Sequence, residues 1–334
     1  MITPTRLSYG VLIATIALAG LLHLGVPLLV LLFSYFALRQ LYFLTKRKWL
    51  ALILFGVVVA GITAAAVYFA RTAILALPDV ADTSIPSASA WAQKRQIELP
   101  FTDFESLRQA VVETLGQEAQ YLRNVANFAK SAAAAIVFSI LGIVAAGSLF
   151  YKTGLDPYRG THRLKNNLYS ICCDQVSTRF RDFYRSFATV MGAQITISLI
   201  NTALTGIFLV AVRLPHAPLI IAVTFVCGLV PIVGNLISNT IIVFIALTVS
   251  LKLAIVALVF LILIHKLEYL LNSKIIGDRI RNPVWLTLIA LILGERLMGI
   301  PGLILAPVVL NYLRVEMLTV EVPARHEEVE MLTR

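Results

Sequence analysis

Charge is scarce in this chain. Only 14% of its 334 residues are Asp, Glu, Lys or Arg, and 59% are hydrophobic. A soluble globular protein averages about 25% charged and roughly 45–50% apolar. The shortage excludes a disordered chain, a coiled coil and an ordinary soluble enzyme, and points to an all-α polytopic membrane protein. Cysteine is scarce too. Cys172, Cys173 and Cys227 are the only three, two of them neighbours, so no disulfide framework is expected. The five histidines, at 23, 162, 216, 265 and 326, lack metal-ligand spacing. No Walker A sequence offers an ATPase, and no H-E-x-x-H or Ser-His arrangement offers a hydrolase. No catalytic residue, metal or cofactor is therefore expected. The N-terminal apolar run is too long for a cleaved signal peptide and reads as membrane anchor.

The charge that is present leans one way: 28 Lys and Arg against 18 Asp and Glu, a net +10. In a soluble protein this would suggest nucleic acid. In a membrane protein it reads as basic cytoplasmic loops facing anionic lipid, so lipid and not nucleic acid is the expected partner. On that rule residues 39–48, 152–190 and 273–282 should be cytoplasmic and 71–130 outside.

Charge-free runs cover 7–38, 49–70, 131–151, 186–212 and 214–251, followed by 253–265, 282–294 and 297–313. A spanning helix needs about 20 apolar residues, which predicts about six to eight transmembrane helices. The first run contains Gly25 and Pro27 and is too long for one span. It reads as a hairpin, Tyr9 to Leu24 and then Pro27 to about Leu44, with proline in the first turn where its missing N–H costs nothing. The chain then divides as follows: 1–70, N-terminal membrane helices, with the third span at 49–70; 71–130, an outer insert; 131–151, a fourth span; 152–190, a cytoplasmic amphipathic helix; 191–316, a C-terminal membrane core; and 317–334, a polar tail. In the insert, Leu77 to Pro100 reads as loop. Thr102-Asp103-Phe104-Glu105 then reads as a capping box, and Leu107, Val111, Leu115, Tyr121 and Val125 recur at helical spacing. In 152–190 the apolar face is Leu164, Leu168, Ile171, Val176, Phe180 and Tyr184.

The C-terminal core holds the most informative pattern. Leu219 to Val249 is broken at Gly228-Leu229-Val230-Pro231-Ile232-Val233-Gly234-Asn235. Pro283 to Tyr312 is broken at Gly294-Glu295-Arg296-Leu297-Met298-Gly299-Ile300-Pro301-Gly302. Each half has about a dozen residues, or roughly 18–22 Å, against a hydrocarbon core about 30 Å thick. Paired short segments interrupted by Gly and Pro point to a transporter binding site. Two readings fit: re-entrant hairpins, or prolines kinking long tilted spans. The net +2 of residues 273–282 favours hairpins, because that loop is then cytoplasmic.

Three stretches carry a resemblance. Val230-Pro231-Ile232-Val233-Gly234 is similar to an "IPxxG" signature, Leu271-Asn272-Ser273-Lys274-Ile275-Ile276-Gly277 to an "N-x-(K/L)-(I/V)-(I/V)-G" stretch, and Gly299-Ile300-Pro301-Gly302-Leu303-Ile304-Leu305-Ala306-Pro307 to a closing "G-x-x-G-x-x-x-x-P" element. In this order and spacing they resemble the autoinducer-2 exporter family, or PerM-type permeases. The resemblance implies a multi-span protein of the bacterial inner membrane that exports a small solute, some members being described as sodium/proton antiporters, with a homo-oligomer expected. The chain departs from the family at Arg281-Asn282-Pro283, where a His before Pro is common, and at Glu295-Arg296, where small residues are common.

Ionisable groups at membrane depth are functional candidates. His265, Glu268 and Asn272 fall on one helical face. That stripe suits a coupling proton or cation, or equally packing against a neighbour. Glu295-Arg296 is either a compensated buried pair or a solvated turn. Asn235 and Asn239 open the second half of the first hairpin, where Asn235 could cap the helix or bind solute. Pro231, Gly234, Asn235, Asn239, Glu268, Asn272, Gly294, Glu295, Gly299 and Gly302 are the expected transport residues, serving a small-molecule solute and a coupling ion. Three functions compete: gradient-driven export of a small solute, sodium/proton antiport on the same scaffold, and a membrane scaffold that transports nothing.

Overall fold

The structure, a computed structural model, describes residues 4–93, 118–151, 156, 167–231, 233–275 and 283–319. These form ten helices: α1 Pro4–Leu21, α2 Gly25–Thr45, α3 Lys48–Gln93, α4 Glu118–Tyr151, α5 Leu168–Ala211, α6 Ala217–Gly228, α7 Val233–Val249, α8 Leu251–Ile275, α9 Val284–Met298 and α10 Ile300–Leu318. The chain is an all-helical polytopic membrane protein. Among the described residues, five segments are long and apolar enough to cross a membrane: Gly25–Thr45, Lys48–Leu75, Lys130–Tyr151, Leu168–Ala211 and Ile300–Leu318. Leu7–Leu21, Ala217–Gly228 and Val233–Val249 are apolar but shorter. Outward faces carry exposed Leu, Ile and Val throughout, such as Ile62, Ile140, Leu199 and Ile262, which suits contact with lipid tails.

In lipid, helices gain no hydrophobic energy by meeting one another; close van der Waals packing and interhelical hydrogen bonds hold them. The interfaces follow that rule. Ala51 of α3 and Ala146 of α4 are fully buried beside Leu38 of α2. At Gly142 of α4 an added Cβ would stand 2.9 Å from the Pro27 carbonyl of α2. Serines and threonines, among them Ser34, Ser198, Thr205 and Ser238, make up most of the buried polar set.

The sequence and the structure part company in two places. α3 does not stop after the third span but continues through Pro78 and Pro86 to Gln93, where a loop is expected. A helix already nucleated over Lys48–Leu75 extends at one hydrogen bond per residue, and a proline inside it removes one such bond without ending the helix. The capping box and most of the amphipathic stretch of the insert lie outside the described residues; Tyr121 and Val125 fall in α4. Finally, the cytoplasmic helix and the fifth span are one helix, the 44 residues of α5, about 66 Å long at 1.5 Å per residue. It starts at an N-cap, Asn167, whose side chain accepts from the Ser170 N–H at 2.9 Å. Its buried lower face is Ser170, Phe183, Tyr184 and Phe187, while Leu168, Ile171 and Phe180 are exposed. Among the described residues of the expected apolar face only Tyr184 is buried, because the packing partners of α5 lie on another side.

α1 and α2 are the two arms of the expected first hairpin, but they touch little. α1 packs along α5, and α2 packs along α4. The space between them takes the tip of the last two helices: an added Cβ at Gly25 would stand 2.8 Å from Pro301 Cβ. The main core joins Leu12 of α1, Leu29 and Leu32 of α2, Phe183, Phe187 and Met191 of α5, and Ile304, Leu305 and Val308 of α10. At the opposite end of α1, Tyr9 Oη donates to Glu316 at 2.6 Å, Arg179 of α5 pairs with the same carboxylate, and the guanidinium lies 4.2 Å over the Tyr9 ring. The first and last helices are thus tied to α5 at one end of the bundle.

Candidate functional site

The first break is a true reversal. Ile220 near the start of α6 shares a buried cluster with Ile242 and Ala246 late in α7, so the two helices lie side by side. A helix end leaves its last carbonyls without intrahelical donors, and lipid cannot supply any. α5 supplies them: Ser198 Oγ donates to the Phe225 carbonyl at 2.9 Å, and Gln194 Nε2 donates to the Gly228 carbonyl at 2.7 Å. Pro231 stands half-buried in the turn, and Gly234 is buried at the start of α7. A Cβ on Gly234 would lie 1.6 Å from the Cys227 carbonyl oxygen. Glycine is required there by close approach and not by backbone angle.

This reversal brings Asn235 to Glu268. Asn235 Nδ2 donates to Oε1 at 2.6 Å and to Oε2 at 2.7 Å, joining α7 to α8. Asn201 of α5 lies close to the same carboxyl. Its Oδ1 is buried with no partner among the described residues. His265 Nδ1 stands 3.8 Å from Oε2, one helical turn away; its side chain is 74% exposed and that of Glu268 13%. Among the described residues no lysine or arginine pairs with Glu268. The carboxyl is therefore held by the Asn235 amide of α7, with Asn201 of α5 close by, in a setting where it can carry a charge or a proton without being locked to a fixed cation.

One expectation about this region changes. Asn235 does not cap α7, which begins two residues earlier at Val233; its amide is used by Glu268 instead. Asn239 lies one turn further on, half-buried, outside the Glu268 hydrogen bonds. The side chain of Asn272 on α8 lies outside the described residues.

The second break is narrower than the sequence suggests. α9 and α10 are separated by Gly299 alone, with φ +63° and ψ −139°. An L side chain is strained there, although nothing stands within 4 Å of an added Cβ. Gly294 and Gly302 are helical and face each other: a Cβ on Gly294 would lie 2.4 Å from the Gly302 carbonyl oxygen. Glu295 and Arg296 belong to the last turn of α9, not to the tip. They stand 3.8 Å apart with side chains 53% and 83% exposed, so the solvated reading of this pair fits and the buried one does not. The helix continues through them because Gly299, and not the Gly294 backbone, makes the turn. Val230 from the first tip and Met298 from the second pack on the same core cluster.

Sequence reasoning missed the α5 contribution. Gln194, Ser198, Asn201 and Thr205 recur at i, i+4, i+7 and i+11, one face of a helix. Ser198, Asn201 and Thr205 are buried. A polar stripe inside an otherwise apolar span is the signal that could have found them; within an uncharged run, polar but neutral residues drew no notice.

The comparisons with known proteins agree with this architecture. The family described as AI-2E family transporter matches residues 7–319. A Bacillus subtilis (strain 168) protein called "Putative transport protein YdbI" is 28% identical over 187 residues, 55% of this chain and 51% of that protein. The match thus spans about half the length of that relative. The chain belongs to the AI-2E transporter family.

Proposed function

We propose, from that membership, that this transporter is an exporter of a small solute in the bacterial inner membrane, a signalling molecule of the autoinducer-2 kind being the leading candidate. Transport is driven by a proton or sodium gradient, with Glu268 as the coupling residue. The reversals at Pro231–Asn235 and Gly299 are re-entrant tips that frame the solute path, Gly294 and Gly302 close the second hairpin, and Asn239, Asn272 and Glu295 flank the path. The protein works as a homo-oligomer. The observation that carries this reading is the Glu268 carboxyl, received by Asn235 from a helix other than its own, with Asn201 of α5 close by. A group that exchanges amide partners for an ion or a proton, beside a broken helix, is a means of coupling two fluxes. The unpartnered Asn201 Oδ1 favours sodium/proton antiport on the same scaffold as the second reading, since a buried oxygen acceptor beside a carboxylate suits a hard cation.

The test is flux in proteoliposomes loaded with autoinducer-2, under an imposed pH or sodium gradient, for wild type and Glu268→Gln. Glutamine keeps size and hydrogen bonding and removes titration. The expected result is loss of gradient-driven flux with solute exchange preserved. Sodium-dependent proton movement without solute would select the antiporter. No flux of any kind from folded wild-type protein would leave a membrane scaffold, and unchanged pH dependence in Glu268→Gln would return that residue to packing.

A further inference from the structure

A cavity of about 580 Å³ runs along the α9–α10 hairpin, floored by Ile16 of α1, Leu28 of α2 and Phe183 of α5. Its volume is within the roughly 300–1,000 Å³ of small-molecule sites. Every residue that lines it is apolar or glycine except Arg314. A small polar solute would strand its hydrogen-bonding groups there, so the cavity is not the solute path. It is open along its side, where Leu293, Leu297, Leu313 and Met317 are exposed. Along α10 it extends from Gly302 to Met317, about 22 Å at 1.5 Å per residue. That is a long, narrow, sideways-opening apolar slot.

Arg314 stands at one end of the slot. Its Nη1 is buried without a hydrogen-bond partner, and among the described residues no carboxylate pairs with it. The nearby Glu316 is already taken by Tyr9 and Arg179. This is also the end of the bundle that carries the C-terminus of α2 and, just beyond it, Lys46, Arg47 and Lys48, where the positive-inside rule puts the cytoplasmic leaflet and its anionic lipids.

We propose that the slot is a binding site for an anionic phospholipid of the inner leaflet, one acyl chain lying along α9 and α10 and the headgroup phosphate meeting Arg314. The occupant supplies the apolar contacts that the groove walls lack and the anion that the guanidinium lacks. It also fixes the hairpin against α1, α2 and α5 without entering the Glu268 region.

The experiment is native mass spectrometry of the whole protein in detergent, titrated with phosphatidylglycerol or with phosphatidylcholine of the same chains. Wild type should retain phosphatidylglycerol about fivefold better, the effect of one basic group near an anionic headgroup. Arg314→Gln should bring the two lipids to parity, and Arg314→Lys should keep the preference. Ala290→Leu, which narrows the slot, should weaken retention of both lipids. Circular dichroism and a single elution peak show that each variant is folded. Parity in wild type, or a preference that survives Arg314→Gln, overturns the proposal. So does full competition by inorganic phosphate, which would mean a headgroup site without the groove. If Ala290→Leu changes the oligomeric state and leaves lipid retention unaltered, a second copy covers this face and the proposal fails.

Discussion

Replacing Gly234 with alanine tests the link between backbone shape and the carboxyl site. The new Cβ would stand 1.6 Å from the Cys227 carbonyl oxygen and 2.5 Å from its carbon. The tip must open by at least 1.4 Å to reach the 3.0 Å that real contacts keep. No side chain can yield in place of the backbone, because the obstacle is itself backbone. Overpacking of this kind costs about 1–3 kcal/mol. The next residue is Asn235, whose Nδ2 lies 2.6 and 2.7 Å from the two Glu268 oxygens. An opening of that size carries the amide out of hydrogen-bond range, and a hydrogen bond to a charged group contributes about 1.5–3 kcal/mol. Gradient-driven transport should therefore fall at least about tenfold, since each 1.4 kcal/mol is a factor of ten. Val233→Ala, at a residue 37% exposed that makes no such approach, should stay within about twofold on the same scale. The assay is autoinducer-2 flux in proteoliposomes, normalised to protein that elutes as a single folded species. Near-normal flux by folded Gly234→Ala would refute the reasoning, because the tip would then tolerate a shape in which Asn235 cannot reach Glu268.

Gly299→Ala should destabilise by about 1–3 kcal/mol through backbone angle alone, seen as a lower unfolding temperature, whereas Gly56→Ala, in open space within α3, should not. Asn201→Leu removes a buried amide from Glu268 at nearly constant volume; the pH profile of transport should move, while Asn239→Leu leaves it in place. Glu316→Gln strands Arg179, whose side chain is only 15% exposed, at a cost of about 3–5 kcal/mol. Arg179→Met in the same chain should recover much of the lost stability, measured by chemical unfolding.

The membrane plan was legible because it is written in long uncharged runs and in the prolines and glycines that interrupt them. Pro231, Gly234 and Gly299 told where α6, α7, α9 and α10 end, since few other residues tolerate those positions. Glu268 was legible as a charge at membrane depth. Its partners were less so. Asn235 resembled a helix cap, and only the fold could show that α7 starts at Val233 and turns the amide toward α8. Asn201 and Gln194 were hidden because a neutral polar residue in an apolar span has no signature until its neighbours are known. The long helices α3 and α5 run past the charges that bound their apolar runs, because cooperativity carries a helix past the point where its environment changes. Glu295-Arg296, open in the sequence between a buried pair and a solvated turn, lies exposed in the last turn of α9, just before the single glycine that makes the reversal.

The knot of Tyr9, Arg179 and Glu316 has a consequence for how the protein is made. Tyr9 and Glu316 are 307 positions apart, and a ribosome adding about 5–20 residues per second needs roughly 15–60 s to get from one to the other. Through that interval α1 is inserted but its final carboxylate partner does not yet exist, and the slot between α1 and α2 that receives Pro301 stands open. The first of the described helices to be made is thus not locked until the last is complete. A nascent chain arrested before α10 would hold Arg179 beside Tyr9 without the Glu316 carboxylate that both engage in the finished protein.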